Sequence, residues 1–255
     1  MADLKKRRER KKSAERFRRS RMANNTYQKY LRSVVHQIGA LVKGMAPKGI
    51  VESPTRLVNA LMRYAEILNP WAEAVAQNMV KEVMKRDAYA WQTAGRAMGR
   101  ELTKKLNQPG ALGDVKGMVT EQVDLITSIP RKAAERVQQL AIESVSSSSA
   151  RANEIAREIM KTEEVSWSRA KMIARTETAR AGAAMTESRA RYIGSTGYVW
   201  HSQRDPETRP LHRKLDGKVF KWDNPPVIGE NGERGHPGTI YNCRCWAEPV
   251  IPDEF

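Results

Sequence analysis

The residues best suited to chemistry crowd the end of the chain. His201, Asp205, Arg209, His212, Asp216, His236, Cys243 and Cys245 lie within 45 positions of one another. Cys243 and Cys245 are two apart, so an extended strand would turn both sulfurs to one face. His212, with either His236 or His201, would complete a tetrahedral set of sulfur and nitrogen donors, the coordination zinc prefers. A disulfide between such near neighbours would close a strained ring. Two readings stay open here. Cys243, Cys245, His212 and His236 hold a structural zinc ion, or the two cysteines are small buried groups and the histidines make ordinary hydrogen bonds. No cofactor is otherwise expected.

The same cluster can be read as a nuclease of the His-Asn-His type, using His212, Asn224 or Asn231, and His236 with a metal ion. The spacing is loose for that. Pro237-Gly238 follows His236 directly, so no helix begins there to carry it. The expectation is therefore a protein that is not an enzyme.

A second feature stands at the opposite end. Lys5, Lys6, Arg7, Arg8, Arg10, Lys11, Lys12, Arg16, Arg18, Arg19 and Arg21 face only Asp3, Glu9 and Glu15. That block supplies half of the net charge of +16. A localised basic run favours a polyanion, either nucleic acid or an acidic protein surface. Phe17 is its one aromatic residue, so stacking on bases is not the main mode. Neutralising the phosphates of double-stranded DNA, without sequence preference, is the expected mode. The alternatives are docking on an acidic protein and a solvated tail.

A third feature is Arg175-Thr176-Glu177-Thr178. On a helix, Glu177 and Arg180 are three apart and can pair on the surface. The alternative is that this stretch turns toward the C-terminal region and fixes its docking.

These residues need elements to position them. Tyr27, Tyr30, Leu31, Val34, Val35, Ile38, Leu41 and Val42 recur at helical spacing until Gly44 and Pro47. Ser53-Pro54 and Asn69-Pro70 have the form of helix starts. A long helix is expected from Pro70 to about Leu106, broken by Pro109-Gly110. Further helices fit 114–127, 130–145 and 151–161, with the Ser146–Ser149 run as a hinge. Ser166 then caps a helix to about Tyr192. Beyond Gly194 the composition changes, with seven of the 12 prolines, three of the four histidines and both cysteines. Tyr198-Val199-Trp200, residues 218–222 and Thr239-Ile240-Tyr241 are β-prone runs between loops. The class is α+β, a mainly helical body with a small β-containing C-terminal module. Three domains follow: a basic arm at 1–23, a helical body at 24–149 and a domain at 150–255, itself a long helix (166–193) plus a β-rich module (195–255). With 11 Met and three Phe, the core is expected to be aliphatic, with Met filling gaps. No 18-residue apolar run exists, so no membrane partner is expected. Two closely spaced cysteines suit a reducing cytoplasm.

Taken together, these pieces resemble the phage Mu F-like minor head protein, or head morphogenesis, family. The carrying residues are Ile173-Ala174-Arg175-Thr176-Glu177, then Trp200, Asp205, Arg209, His212 and Leu215-Asp216-Gly217, then Pro237 and Asn242-Cys243-Arg244-Cys245. Each motif alone is weak, and all of them in this order over residues 150–250 are specific. The resemblance implies a virion component of a tailed bacteriophage, made in the host cytoplasm and kept inside the head near the portal. It implies several copies around the portal protein, help with head assembly and DNA packaging or delivery, and the major capsid or scaffold protein as further partners. Some relatives carry a fused toxin. With the sequence ending ten residues past Cys245, none is expected here. A non-virion DNA-binding or scaffold protein is the remaining alternative.

Overall fold

The computed structural model describes residues 15–18, 20–46, 51–98, 104–106, 108–145 and 149–252. It is 69% helical with one three-stranded antiparallel sheet near the C-terminus, an α+β fold. In chain order the elements are α1 (Arg21–Gly44), α2 (Pro54–Ile67), α3 (Asn69–Met98), a 3₁₀ turn (Pro109–Leu112), α4 (Val115–Val145), α5 (Ser149–Met160), α6 (Thr162–Tyr192), β1 (Gly197–His201), α7 (Pro210–Leu215), β2 (Val219–Lys221) and β3 (Trp246–Pro249).

The chain forms two compact units that interleave in sequence. One, the helical unit, comprises residues 25–78 and 117–174; the other, the mixed unit, comprises 1–24, 79–116 and 175–255. The chain passes between the units after Asn24, Asn78, Lys116 and Ala174, so α1, α3, α4 and α6 each contribute to both.

The helical unit follows from apolar periodicity. Tyr27, Leu31, Val34, Val35, Ile38 and Val42 form one buried stripe on α1. On α2, Leu57, Leu61 and Ala65 recur every fourth residue and are fully covered. Ser53 does occupy the N-cap with Pro54 behind it, but its side chain makes no capping bond. Helix α4 runs unbroken through Pro130, where two helices were expected. Proline there lacks the N–H that would reach Ile126. Burial of Ile126, Ile129, Ala133, Ala134 and Val137 on both sides holds the halves in one helix. The buried Tyr27 hydroxyl and Gln122 carboxamide join α1 to α4 at 3.1 Å.

Helix α6 starts at Thr162, four residues before the expected Ser166 cap. Glu163 and Glu164 lie in its first turn and Arg189 and Arg191 in its last, the arrangement that complements a helix dipole.

The mixed unit is built on the sheet, in the order β2-β1-β3. Tyr198 pairs with Phe220 and Pro249, and Trp200 with Ala247. The third strand is Trp246–Pro249, whereas the β-prone Thr239-Ile240-Tyr241 forms turns. Tyr198 and Trp200, alternate residues on one face of β1, are wholly buried with Trp91, Trp222, Ile193 and Ile240. This core is aromatic, unlike the aliphatic core expected from composition. Against it, α3 and α6 are locked by Asp87, which accepts hydrogen bonds from Thr186 (2.7 Å) and Arg189.

Candidate functional site

Helix α7 carries His212 on its buried face, 2% exposed. Its Nε2 lies 3.1 Å from the Ile228 carbonyl. A carbonyl only accepts, so Nε2 carries a hydrogen and Nδ1 points the other way. Nδ1 faces two sulfurs, Cys245 at 3.4 Å and Cys243 at 3.6 Å. All three donor atoms fall within 4.8 Å of one another, and all three residues are buried. Both cysteines are free thiols. They precede β3 rather than lying in a strand, yet both sulfurs converge, because the intervening Arg244 turns away to Asp205.

The two thiols shift one another's acidity in opposite directions. A hydrogen bond from Cys245, helped by His212, pulls the Cys243 pKa below its ordinary value against the effect of burial. The same bond, together with burial, raises that of Cys245. Trp200 closes the site, its ring edge-on to His212 with centroids 5.3 Å apart. Its indole N–H is buried without an oxygen or nitrogen acceptor. Its effect on Cys245 is to lower the pKa, against the larger effects of Cys243 and burial.

His236 and His201 are elsewhere. His236 Nδ1 meets the Tyr198 hydroxyl at 3.1 Å and its Nε2 lies 3.6 Å from Glu187. His201 pairs with Glu248 at 2.7 Å and stacks on Trp246. Three of the four candidate metal ligands are thus together and the fourth is not. The His-Asn-His set is also scattered: Asn224 accepts from Arg234 at 2.5 Å, and Asn231 is exposed.

The remaining motif residues form a ring of fixed contacts around this cluster. Arg244 grips Asp205 with both guanidinium nitrogens, at 2.7 and 2.6 Å. Such a forked pair fixes orientation as well as contact. Arg209 donates to the Tyr241 carbonyl at 3.2 Å and lies over the Tyr241 ring. Asp216 ends α7 and accepts from the Ser202 amide (2.7 Å) and Arg204 (2.6 Å). Gly217 adopts φ +78°, a left-handed conformation that glycine takes without strain, and donates its N–H to the Trp200 carbonyl at 2.7 Å. Asn242 is also left-handed, at φ +56°. Its amide donates to Thr176 Oγ1 at 2.9 Å.

That last bond shows what the Arg-Thr-Glu stretch does. Thr176 and Glu177 are buried on α6, and Arg175 is half-buried. Arg180 bridges the Glu177 carboxylate (3.3 Å) and the Thr239 carbonyl (2.7 Å). So α6 is tied to the loop that carries the cysteines, and the Glu177–Arg180 contact is part of that tie. Gly238, at φ +93°, lets the loop approach α6: a Cβ there would stand 3.3 Å from the Ala179 carbonyl oxygen. Sequence reasoning missed Trp200 as a wall of the cysteine site, and the Asp87–Arg189 pair altogether. Asp87 reads as an ordinary charge on a long helix.

Of the basic arm, Lys5, Lys6, Arg7, Arg8, Arg10, Lys11, Lys12 and Arg19 lie outside the described residues, as do Ser146–Ser148. Arg16 and Arg18 are half-buried and Arg21 is exposed. Phe17 between them is buried, edge-on to Trp91 with centroids 5.0 Å apart. Arg18 lies over the Trp246 ring at 5.7 Å. The end of the arm is therefore anchored in the mixed unit, and Ser20 caps α1 through the Ala23 amide at 3.0 Å.

These features define a class, an α+β module whose small sheet and cysteine loop are fastened to a long helix by polar side chains. The family described as Phage Mu protein F like protein matches residues 135–248, so that part of the chain is similar to this family. It is similar to an uncharacterized protein of Haemophilus influenzae, 29% identical over 145 residues, which are 57% of this chain and 31% of that protein. It is also similar to minor head protein GP7 of Bacillus phage SPP1, 30% identical over 112 residues, which are 40% of this chain and 36% of the relative. The chain spans about a third of the length of these curated relatives. No solved structure matches it. No helix among the described residues is long and apolar enough to cross a membrane.

Proposed function

We propose that this chain is a minor head protein of a tailed bacteriophage that acts inside the head beside the portal. It assists head assembly and DNA packaging or delivery, in several copies, and it is a structural component rather than an enzyme. The observation that carries the reading is the match of residues 135–248 to a family of phage proteins, together with the likeness to a minor head protein. The geometry supports a structural role, since the motif residues spend their polar atoms on one another. The nuclease reading loses support, because His212 faces sulfur and His236 faces Tyr198.

Portal protein, with the major capsid or scaffold protein as further partners, would dock on the helical unit. Ile67, Ile142 and Val145 stand exposed there, at 70, 65 and 91%. Double-stranded DNA would be contacted through the basic arm. Two experiments test this. The protein is expected in purified particles and to co-purify with its portal protein; its absence from particles overturns the reading. Deleting residues 2–12 spares Phe17 and removes seven basic side chains. That deletion should flatten the dependence of DNA affinity on salt, by roughly 0.9 in log–log slope for each phosphate the arm no longer neutralises. An unchanged slope means that the arm does not bind the DNA.

A further inference from the structure

We infer that His212 Nδ1, Cys243 Sγ and Cys245 Sγ form a three-donor site for a thiophilic divalent ion, zinc first, clasping α7 to the loop before β3. His236 and His201 take no part in it.

Three independent observations converge. The first is spacing. Zinc bonds of about 2.3 Å to sulfur and 2.0–2.1 Å to nitrogen, at tetrahedral angles, put those donors about 3.6 Å apart. The Nδ1–Sγ separations are 3.4 and 3.6 Å. An ion could thus enter with little movement of the side chains. The second is the far side of the imidazole. A metal-bound histidine commonly gives its other N–H to a carbonyl or carboxylate, which fixes ring and tautomer. Here Nε2 meets the Ile228 carbonyl at 3.1 Å. The ring is held with Nδ1 aimed at the sulfurs before any ion arrives. The third is the Trp200 indole N–H, wholly buried and without a hydrogen-bond partner among the described residues, on the ring that packs edge-on against His212. A buried donor left over at the wall of the site is better satisfied once the site holds metal-bound thiolates, whose charge attracts it.

Among the described residues no fourth His, Cys, Asp or Glu joins the three. One coordination position is therefore left for a water. Loading the site releases the thiol protons, because zinc binds cysteine as thiolate. The soft sulfur donors select zinc over magnesium or calcium. The ion would replace a hydrogen-bonded trio by three metal–ligand bonds between segments 31 residues apart, His212 and Cys243. The cluster stands where the hydrophobic core of the mixed unit meets its motif loops, so its role is to fix that loop against α7.

The experiment uses the full chain, purified without chelator. Elemental analysis should give one zinc per chain that survives dialysis. Replacing it with cobalt(II) should produce a thiolate-to-cobalt charge-transfer band and the visible absorption of a tetrahedral ion. Cys243→Ser and Cys245→Ser should each lose most of the metal, and His236→Ala should retain all of it. Where a serine variant does not fold, the cobalt spectrum of the unaltered chain decides independently. Less than about a tenth of an equivalent of zinc, with no thiolate band on adding cobalt, overturns the site. Loss of metal in His236→Ala overturns the three-donor set. Neither result bears on the head-protein reading, which stands or falls on particle composition.

Discussion

The interiors of the two compact units rest on different physics. The helical unit has an aliphatic interior, where Leu31, Ile38, Leu57, Leu61, Ile126 and Ile129 are fully buried and Tyr27 is the large aromatic among them. The mixed unit has an aromatic interior, with Trp91, Tyr198, Trp200 and Trp222, and it encloses charged and thiol groups: Asp87, Arg189, His212, Cys243 and Cys245. Apolar packing depends on volume and tolerates exchange among similar side chains. Buried polar contacts depend on each partner, since removing one strands the other. The family motif falls where the second kind of contact dominates. A motif of scattered polar residues is thus the sequence trace of a unit whose structure is specified pair by pair.

The largest test of this contrast is Arg189→Ala. It leaves Asp87 buried and uncompensated, and is expected to cost about 3–5 kcal/mol. The neutral hydroxyl of Thr186 would remain hydrogen-bonded to it but brings no compensating charge. Replacing both partners by apolar residues, Asp87→Leu with Arg189→Met, should recover most of that loss in urea unfolding. If the double variant is as unstable as the single one, the pair is not what the mixed unit depends on. Next comes Leu57→Ala in the helical unit, expected at about 2–5 kcal/mol, with Leu57→Met below about 1.5 kcal/mol. A severe Leu57→Met variant would erase the difference between the units.

The same contrast decides what was legible from sequence. The α1 stripe and the Pro54 start were readable because a period of four survives in the order of residues. The sheet's first two strands were readable because Tyr198-Val199-Trp200 and Val219-Phe220-Lys221 are β-prone in themselves. The third was not: Trp246-Ala247-Glu248-Pro249 has no β-branched residue, and it is a strand because β1 offers it an edge. Pro130 misled for the opposite reason, since a local breaker was overridden by burial on both sides. The convergence of Cys243, Cys245 and His212 was half legible. Two-residue spacing put both sulfurs on one side and His212 was expected beside them, but nothing in the order of residues showed that neither His236 nor His201 would join. That choice is made by α7, whose buried face carries His212, and by the ring stacking and carboxylate that hold the other two.

Smaller effects sharpen the comparison within the motif. Thr176→Val keeps the shape of the side chain and removes the acceptor for the Asn242 amide. It should cost about 1–3 kcal/mol, and Thr176→Ser should restore most of it. Equal losses in both would assign Thr176 to packing alone. Gly217→Ala forces a left-handed alanine and should cost about 1–2 kcal/mol, although the residue is exposed. Thermal unfolding followed by tryptophan fluorescence suits both, because Trp91, Trp200, Trp222 and Trp246 report the mixed unit.

The smallest expected effect is a pH slope, and it too belongs to the mixed unit. His236 packs against Tyr198 and Trp222, with ring centroids 5.4 and 5.5 Å away. Burial holds its pKa below the ordinary histidine value, and the positive Arg191 adds to this while Glu187 opposes it. The unfolded chain therefore takes up a proton at a pH where the folded chain does not. It follows that the stability due to this residue is fully present above the unfolded value of about 6.5 and is lost as pH falls through the lower folded value. Melting temperature should drop on going from about pH 7.5 to about pH 5.5, and His236→Gln should remove part of that drop. Gln keeps a hydrogen-bonding group near Tyr198, so the loss of slope would not come from an emptied cavity. An identical slope in the variant would move the pH sensitivity to other groups and leave His236 as packing between two aromatic rings.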